Sequence, residues 1–168
     1  VISLLQNIDA LPEDTILIAA TNHAHLLDAA IWRRFGARIA MPLPDLEVRK
    51  KLWANYLDGY IPDRIDLTEV AKRSEGMSGA ALEQVCLDAK RTAVLQGSAE
   101  VDEKELYRRL GLTVAMERGD ALGHTEDEIR WLRNWYPSFF SLRTLAALYD
   151  TSQRQITNAI NGCHNCNN

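Results

Sequence analysis

The hydrophobic pattern of this chain changes its period at Pro44, and this change constrains the fold more than any other feature. Before Pro44, residues 15–20 and 38–41 are short, nearly all-apolar runs, typical of strands buried on both faces of a parallel sheet. A short helix is predicted between them, at 28–35. After Pro44, apolar residues recur at helical spacing. We therefore expect an α/β portion followed by a mostly α-helical portion. Because two strands do not make a sheet, the remaining strands should lie upstream of Val1.

The composition narrows the class of protein. With 46% hydrophobic and 25% charged residues, the 168-residue chain has the composition of an ordinary globular protein. Its net charge of −4 argues against a broad surface that coats nucleic acid. The three cysteines are too few for a disulfide framework and indicate a reducing, cytoplasmic setting. No apolar run approaches the roughly 18 residues of a membrane span, so no membrane partner is expected. Since neither a signal peptide nor an initiator Met is present, the chain is expected to begin inside a longer protein.

Capping residues and glycines divide the chain into four predicted parts. The α/β portion spans 1–44, and a compact helical subdomain spans 45–112. Gly111 follows the last predicted helix of that subdomain, and residues 113–123, which have no clear period, are predicted to be a linker. A three-helix module then occupies 124–168.

An ordered series of short motifs runs through the predicted α/β portion: Ala19-Ala20-Thr21-Asn22, Leu27-Asp28-Ala29-Ala30-Ile31, Arg33-Arg34-Phe35, Arg38-Ile39 and Pro42-Leu43-Pro44-Asp45. This series resembles the second region of homology of AAA ATPases, and its pattern is nearest to the katanin and spastin branch. The resemblance continues to about residue 112. It implies that 1–44 is the C-terminal part of a P-loop-type ATPase core and that 45–112 is the AAA helical lid.

Asn22 is placed at the predicted C-terminal end of the first strand, the edge at which α/β proteins bind ligands. A neutral amide there can donate to a γ-phosphate and accept from a water in line with it, which is the positioning that phosphoryl transfer needs. The resemblance implies that Asn22 is the sensor-1 residue and acts in cis. The alternative is an asparagine that caps the following turn.

Arg33 and Arg34 follow an apolar helical turn. Adjacent guanidinium groups at a subunit edge can offset the charge that develops on a neighbouring subunit's γ-phosphate. The resemblance places trans-acting arginine fingers at these two positions, and Arg38 matches a further arginine of the family. The alternative is a solvated basic helix end, which the helix dipole favours. Trp32 departs from the family pattern, in which this position is often polar.

The segment Gly76-Met77-Ser78-Gly79-Ala80 resembles the part of the AAA lid that approaches the adenine and ribose of the nucleotide. Small residues permit close backbone approach, and the N-terminus of the following helix favours anionic groups. Cofactor contact is implied for four residues, namely Gly76, Ser78, Gly79 and Ala80. The plainer alternative, a loop with an N-cap, is compatible with that role.

The motifs that hold phosphate and magnesium are missing from this sequence. It contains no G-x-x-x-x-G-K-[ST], and no apolar strand ends in paired acidic residues. Without them the chain alone should not hydrolyse ATP. ATP and Mg²⁺ are therefore expected as cofactors of an intact parent protein, and the resemblance implies a ring oligomer, a hexamer in the family pattern.

Residues 145–160 resemble a helix-turn-helix, in which Asp150 replaces the usual glycine of the turn and Thr151 replaces an apolar residue. The second helix would present polar side chains to base edges and phosphates: Ser152, Gln153, Arg154, Gln155, Thr157 and Asn158. Four arginines balance four acidic residues in the module, however, whereas a DNA reader usually has a basic face. Two alternatives stay open: a module that docks on protein, including the lid itself, and an oligomerisation element.

The remaining cysteines and aromatic residues suggest structure rather than chemistry. Cys163 and Cys166 form half of a zinc site with no second pair, so no metal is expected. Cys86 falls on an inner helix face, and Trp131 and Trp135 are expected in the core. The sequence thus predicts the C-terminal part of a ring-forming AAA-type motor that its tail directs to DNA. The alternative is a non-catalytic scaffold that acts through the tail by docking protein or DNA.

Overall fold

The computed structural model describes residues 2–162, and helices are its only regular secondary structure within that range. In chain order they are α1 (Ile2–Asp9), a 3-10 turn (Ala24–Leu26), α2 (Ala29–Trp32), α3 (Leu46–Tyr56), α4 (Leu67–Arg73), α5 (Gly79–Leu95), α6 (Glu103–Arg118), α7 (Thr125–Trp135), α8 (Leu142–Leu148) and α9 (Gln153–Asn161). Between residues 2 and 162 no helix has both the length and the apolar character that crossing a bilayer requires. Cys163 and Cys166 lie outside the described residues.

The chain divides after Pro42 into two compact units. In the first unit, the strands predicted at 15–20 and 38–41 are not formed, and this prediction is wrong for the chain as it stands. Their side chains lie in solvent: Ile16 is 87% exposed and Met41 is 88% exposed. A strand has to pair its backbone N–H and C=O groups with a neighbouring strand. No strand is assigned anywhere in residues 2–162 to provide one.

The second unit begins at Leu43, and its helices begin where short polar side chains cap them. Asp45 accepts a hydrogen bond from the Val48 amide at 2.8 Å, and Asp66 accepts one from the Thr68 amide at 2.8 Å. The Ser78 hydroxyl accepts from the Ala81 amide at 3.2 Å. Side chains of this kind satisfy amide groups that have no partner within the helix. Each of these three helices therefore begins directly after the residue that caps it.

Helix α6 differs from its prediction because it continues through Gly111 to Arg118. Residues 113–118, predicted as linker, are therefore helical. A Cβ atom added at Gly111 would lie 2.6 Å from Leu132 Cδ2 and 3.0 Å from the Trp135 ring. The glycine allows α6 and α7 to pack closely and does not end the helix. The helix ends instead at Gly119, whose φ of 82° lies in the left-handed region that favours glycine.

Helices α7–α9 share one hydrophobic core with α3–α6. The buried side chains form a continuous cluster from Trp53 in α3 to Ala159 in α9. Phe140, which follows α7, is fully buried in that cluster. The alternative in which the tail docks on the lid therefore describes the packing within this chain.

Polar contacts reinforce the packing of the tail on the lid. Arg108 of α6 donates to Glu128 Oε2 of α7 at 3.0 Å, and the Tyr149 hydroxyl donates to the same oxygen at 2.9 Å. The Arg73 guanidinium of α4 lies 3.8 Å from the centroid of the Tyr136 ring. Since these contacts join residues far apart in sequence, hydrophobic periodicity could not have indicated them.

Candidate functional site

The predicted arginine fingers lie at the end of α2, a single helical turn that Asp28 caps. The Asp28 side chain accepts from the Ala30 amide at 2.7 Å. Arg33 is the C-cap residue of α2, and its side chain is exposed. Within residues 2–162, Arg33 forms neither an ion pair nor a side-chain hydrogen bond. Its guanidinium is therefore available to a partner from outside the unit.

Arg34 is held by Asp9, an acidic residue 25 positions earlier in the chain. Its Nε lies 2.6 Å from Asp9 Oδ1, and its Nη2 lies 2.7 Å from Asp9 Oδ2. The third donor, Nη1, reaches the Ala30 carbonyl at 2.9 Å. The hydrogen bond from Arg34 is the largest influence on the Asp9 carboxyl and lowers its pKa. To contact a phosphate, Arg34 would have to exchange this carboxylate for it.

Arg38 has a different environment from the other two arginines. Its guanidinium lies 5.1 Å from the centroid of the Trp32 ring, and Nη2 donates to the Trp32 carbonyl at 3.3 Å. Trp32, the departure from the family pattern, is therefore the partner of Arg38. A cation over an indole face is a modest attraction at an exposed site.

Asn22 is exposed and lies in a segment that is neither helix nor strand. The neighbouring turn is fixed by Thr21, whose hydroxyl accepts from the His23 amide at 2.9 Å. The buried strand that was expected to present Asn22 is not formed in this chain. Its position is therefore compatible with a turn residue, and its sensor-1 role stays a prediction.

The predicted nucleotide segment of the lid is a turn between α4 and α5. Gly76 has a φ of 85°, a backbone conformation that side chains disfavour. A Cβ added there would meet no atom within 4 Å, so the space beside Gly76 is open. At Gly79 a Cβ would lie 3.8 Å from Leu52 Cδ1, an ordinary contact, so packing alone does not require this glycine. Ala80 is exposed on the first turn of α5.

The predicted recognition helix α9 buries Ile156 and Ala159 and leaves its polar face outside. Five of the six predicted DNA-contact residues are exposed, and Thr157 is half-buried. Among residues 2–162, the side chains of Gln153, Arg154 and Asn158 form no hydrogen bond, whereas those of Ser152, Gln155 and Thr157 bond to the start of the helix itself. Gln155 Oε1 accepts from Ser152 in a capping box, and the Thr157 hydroxyl donates to the Gln153 carbonyl at 2.9 Å. Arg154 projects from the exposed face.

The turn before α9 favours DNA binding by the tail, whereas the positions of the tail arginines argue against it. Asp150 has a φ of 47°, the left-handed conformation that a helix-turn-helix usually gives to glycine. Two of the four tail arginines, however, serve the fold. Arg130 donates to the Ala159 carbonyl at 2.9 Å, and Arg133 donates to the Phe140 carbonyl at 3.0 Å. Only Arg143 and Arg154 are left exposed among the arginines of the described tail.

No group of three His, Cys, Asp or Glu side chains between residues 2 and 162 is arranged to hold a metal ion.

The pKa values that differ most from the ordinary value of the side chain belong to buried groups. Burial raises the pKa of the Cys86 thiol to about 12, so this cysteine is a protonated core residue and not a nucleophile.

Part of this chain is similar in sequence to a known protein family. Residues 64–107 match the family model of the AAA+ lid domain, a range that contains α4 and α5 and enters α6. The chain is 42% identical over 102 residues to the meiotic spindle formation protein mei-1 of Caenorhabditis elegans, covering 60% of this chain and 21% of that protein.

Two archaeal proteins are similar over a comparable range. A cell division cycle protein 48 homolog of Archaeoglobus fulgidus is 34% identical over 119 residues, covering 66% of this chain and 16% of the homolog. A proteasome-activating nucleotidase of Saccharolobus islandicus is 37% identical over 112 residues, covering 64% of this chain and 28% of the nucleotidase. The chain thus corresponds to between 16% and 28% of the length of these three relatives.

Proposed function

We propose that this chain, which contains an AAA+ lid domain and is related to the AAA-type ATPases, is the C-terminal part of an ATP-hydrolysing motor that acts as a ring oligomer. The observation that carries the proposal is the match of residues 64–107 to the lid, preceded by the Arg33–Arg34 pair at an exposed helix end. The energy of ATP hydrolysis would remodel a substrate whose identity lies outside this chain.

In the proposed ring, Asn22 acts on the nucleotide of its own subunit, and Arg33 and Arg34 reach the nucleotide of a neighbour. Both arginines are exposed, as a group that acts in trans has to be. Guanidinium groups neutralise the charge that develops on the transferred phosphoryl group, and an arginine finger of this kind accelerates the reaction by about 10³–10⁵. Arg33 has no ionic partner among residues 2–162 to displace, whereas Arg34 would leave Asp9.

The lid turn would contact the base and sugar of ATP. Open space beside Gly76 and the exposed Ala80 leave room for a flat group against the backbone. The segment contributes no charged side chain, so it would bind and orient the nucleoside and not the phosphates. We propose that the phosphate cradle and the carboxylates that hold Mg²⁺ belong to another segment of the parent protein, because the sequence has no G-x-x-x-x-G-K-[ST].

A mixing experiment in the parent protein tests the trans role of the arginines. Subunits carrying Arg33→Ala and Arg34→Ala are titrated into wild-type subunits, and ATP turnover is measured as phosphate release. If each arginine serves a neighbour and the subunits of a ring hydrolyse ATP in a coordinated sequence, one variant subunit disables an adjacent site and stalls the others, so turnover falls more steeply than the wild-type fraction. Arg91→Ala, which removes a guanidinium that is 69% exposed on α5, is the matched control and should leave turnover proportional to protein. Mixed rings with unchanged activity would exclude the trans role.

A second proposal concerns the tail, which we infer could bring the motor to DNA through α9. The observation that favours it is the exposed polar face of α9, with Arg154 beside a left-handed turn at Asp150. The competing proposal is a non-catalytic scaffold whose tail docks protein or DNA, and the equal numbers of arginines and acidic residues in the tail favour a protein.

Fluorescence anisotropy of a labelled DNA duplex with the full chain distinguishes the two. DNA binding through α9 should weaken as salt rises, because phosphate contacts release counterions. Arg154→Ala should reduce it further, while Arg91→Ala should not. An absence of binding at low salt would leave the tail as a protein-docking element.

A further inference from the structure

A cleft lies where the end of α6 faces α7, and none of the proposed roles uses it. It has a volume of about 230 Å³ and is open to solvent. Its lining consists of Arg118 from α6 and of Trp131, Asn134 and Trp135 from α7. Both helices belong to the second unit, so the cleft is formed within one compact part of the chain.

The two indole rings form one wall of the cleft, and the Trp131 ring is fixed in place. Trp131 and Trp135 stack with ring centroids 5.5 Å apart and planes at 26° to each other. The Trp131 N–H donates to Asp120 Oδ2 at 2.9 Å. Asp120 follows the left-handed Gly119, and its amide donates to the Ala115 carbonyl at 3.0 Å. A hydrogen bond from outside α7 therefore sets the orientation of this ring.

The Trp135 ring is held by the close approach of α6. Because Gly111 has no side chain, α6 leaves space for the six-membered part of the ring. A Cβ at Gly111 would lie 3.0 Å from both Cε3 and Cζ3 of Trp135. The Phe140 ring, with its centroid 6.3 Å away, packs near the same indole. The wall of the cleft is thus formed before any ligand is present.

The polar side chains of the lining have no partner in the described part of the chain. Within residues 2–162, the Arg118 guanidinium forms neither an ion pair nor a hydrogen bond, and the Asn134 amide forms no hydrogen bond. Both residues are exposed. The nearby Asp120 is bonded to Trp131 and does not line the cleft. Because Arg118 is the charged side chain of the lining, the cleft favours a carboxylate, which a guanidinium binds at two points.

The size of the cleft limits its ligand to about one residue. Clefts that hold drug-sized molecules measure about 300–1,000 Å³, and this one is smaller. A ligand that uses both the indole wall and the guanidinium has to join a flat apolar group to a carboxylate within that space. An aromatic residue at the C-terminus of a peptide carries both groups. Since the cleft is open, the rest of the peptide can extend into solvent.

We propose that the cleft between α6 and α7 binds the C-terminal aromatic residue of a partner protein, with the ring against Trp131 and Trp135 and the carboxylate on Arg118. Aromatic pairs contribute beyond the area that they bury, and tryptophan and arginine are enriched among the residues that dominate protein interfaces. The Asn134 amide supplies a further donor. The proposal is independent of ATP hydrolysis and of DNA binding.

An NMR titration of the full chain tests the proposal through its indole N–H signals. N-acetylphenylalanine, which carries a ring and a carboxylate, should shift the signals of Trp131 and Trp135 saturably. The signal of Trp53, which is buried and bonded to the Ser74 hydroxyl, and that of Trp32 in the first unit should stay in place. N-acetylphenylalanine amide lacks the charge and N-acetylalanine lacks the ring, so each should bind at least about fivefold more weakly.

Arg118→Gln removes the charge from an exposed position and should not prevent folding. It should weaken the binding of N-acetylphenylalanine about fivefold and leave the binding of the amide unchanged. Arg154→Gln is the matched control, because it removes an exposed guanidinium that does not line the cleft. It should bind both compounds as the wild-type chain does.

A longer probe distinguishes a peptide from a free aromatic acid. The acetylated tripeptide Gly-Gly-Phe with a free carboxylate should bind at least as tightly as N-acetylphenylalanine, because its added residues lie in solvent. Weaker binding of the tripeptide would assign the cleft to a small aromatic acid and overturn the proposal. The proposal also fails if the signals of Trp131 and Trp135 do not move, or if Arg118→Gln binds the acid as tightly as the wild-type chain does.

Discussion

The Asp9 carboxylate and the Arg34 guanidinium form a two-point ion pair, with N–O distances of 2.6 and 2.7 Å. The pair joins α1 to the end of α2 and occupies one of the two predicted arginine fingers. Arg34→Ala should therefore raise the pKa of Asp9 towards its ordinary range, because the hydrogen bond that lowers it is lost. A ¹³C-carboxyl NMR titration measures this, with Arg38→Ala as the control.

The sign of the corresponding pH effect follows from the lowered pKa. Because Asp9 holds its proton less tightly in the folded chain, the contribution of the pair is present above the unfolded pKa and is lost as pH falls through the folded one. Arg34→Ala should reduce this acid dependence of the first unit. An Asp9 titration that is the same in wild type and Arg34→Ala would show that the ion pair is not maintained in solution.

Gly111→Ala should destabilise the second unit, although alanine is the better helix former. The helix propensity favours the variant by about 0.5–1 kcal/mol. The added methyl group meets Leu132 at 2.6 Å and the Trp135 ring at 3.0 Å, and overpacking of this kind costs about 1–3 kcal/mol. We expect a net loss of about 1 kcal/mol, measured as a lower urea midpoint followed by tryptophan fluorescence.

Gly36→Ala is the control for that substitution, since a Cβ at Gly36 meets no atom within 4 Å. It should change the midpoint little. A Gly111→Ala protein as stable as wild type would mean that α6 and α7 separate in solution by more than the structure indicates.

Asp150→Gly should stabilise the turn between α8 and α9. Asp150 has a φ of 47°, a left-handed conformation that costs a residue with a Cβ about 1–2 kcal/mol. Part of this gain is offset by the greater backbone freedom of glycine in the unfolded chain. The expected net gain is about 0.5 kcal/mol, read as a small rise in Tm. Asp150→Ala, which keeps the Cβ, should not reproduce it, and an equal rise in both variants would exclude backbone strain as the cause.

Tyr149→Phe should weaken the attachment of the tail and make the stability less sensitive to alkaline pH. The hydroxyl donates to Glu128 at 2.9 Å, and loss of such a bond costs about 1 kcal/mol. Burial is the largest cause that raises the pKa of Tyr149, to about 12. The stability it contributes is therefore complete below its unfolded pKa near 10 and is lost as pH rises from there through about 12.

Urea unfolding at pH 9 and at pH 11 checks this prediction. The wild-type chain should lose more stability between the two pH values than Tyr149→Phe does. Tyr107, whose pKa is also raised by burial, retains a residual alkaline dependence in both proteins. Identical losses in the two proteins would show that Tyr149 is not buried in solution.

Local signals in the sequence were sufficient for most helices after Pro44. Asp45, Asp66 and Ser78 begin helices because the oxygen of a short side chain can bond an amide two or three residues ahead, whatever the rest of the fold. The inner face of α5 was predicted from the helical spacing of its apolar residues, and Cys86 is buried on it. The motif series also indicated the resemblance to AAA ATPases without any knowledge of tertiary contacts.

Interactions between distant residues decided what these local signals could not. Gly111 carries the same local signal as a helix end, and only the approach of Leu132 and Trp135 distinguishes close packing from termination. Two apolar runs predict strands, but strand formation depends on a pairing partner. Arg49 sits at an ordinary position of an amphipathic helix, and its burial became visible only with the carbonyls of Pro44 and Ala71 around it.

The sequence by itself determined the helical composition after Pro44, the capping residues and the relationship to AAA-type ATPases, because each depends on residues close together in the chain or on their order. The tertiary structure decided that the tail shares the core of the lid and that Arg34 is held by Asp9. It also decided which arginines of the tail are left exposed. These outcomes depend on contacts between residues that are far apart in the sequence. Such contacts form, and stabilise the protein, only when the chain folds.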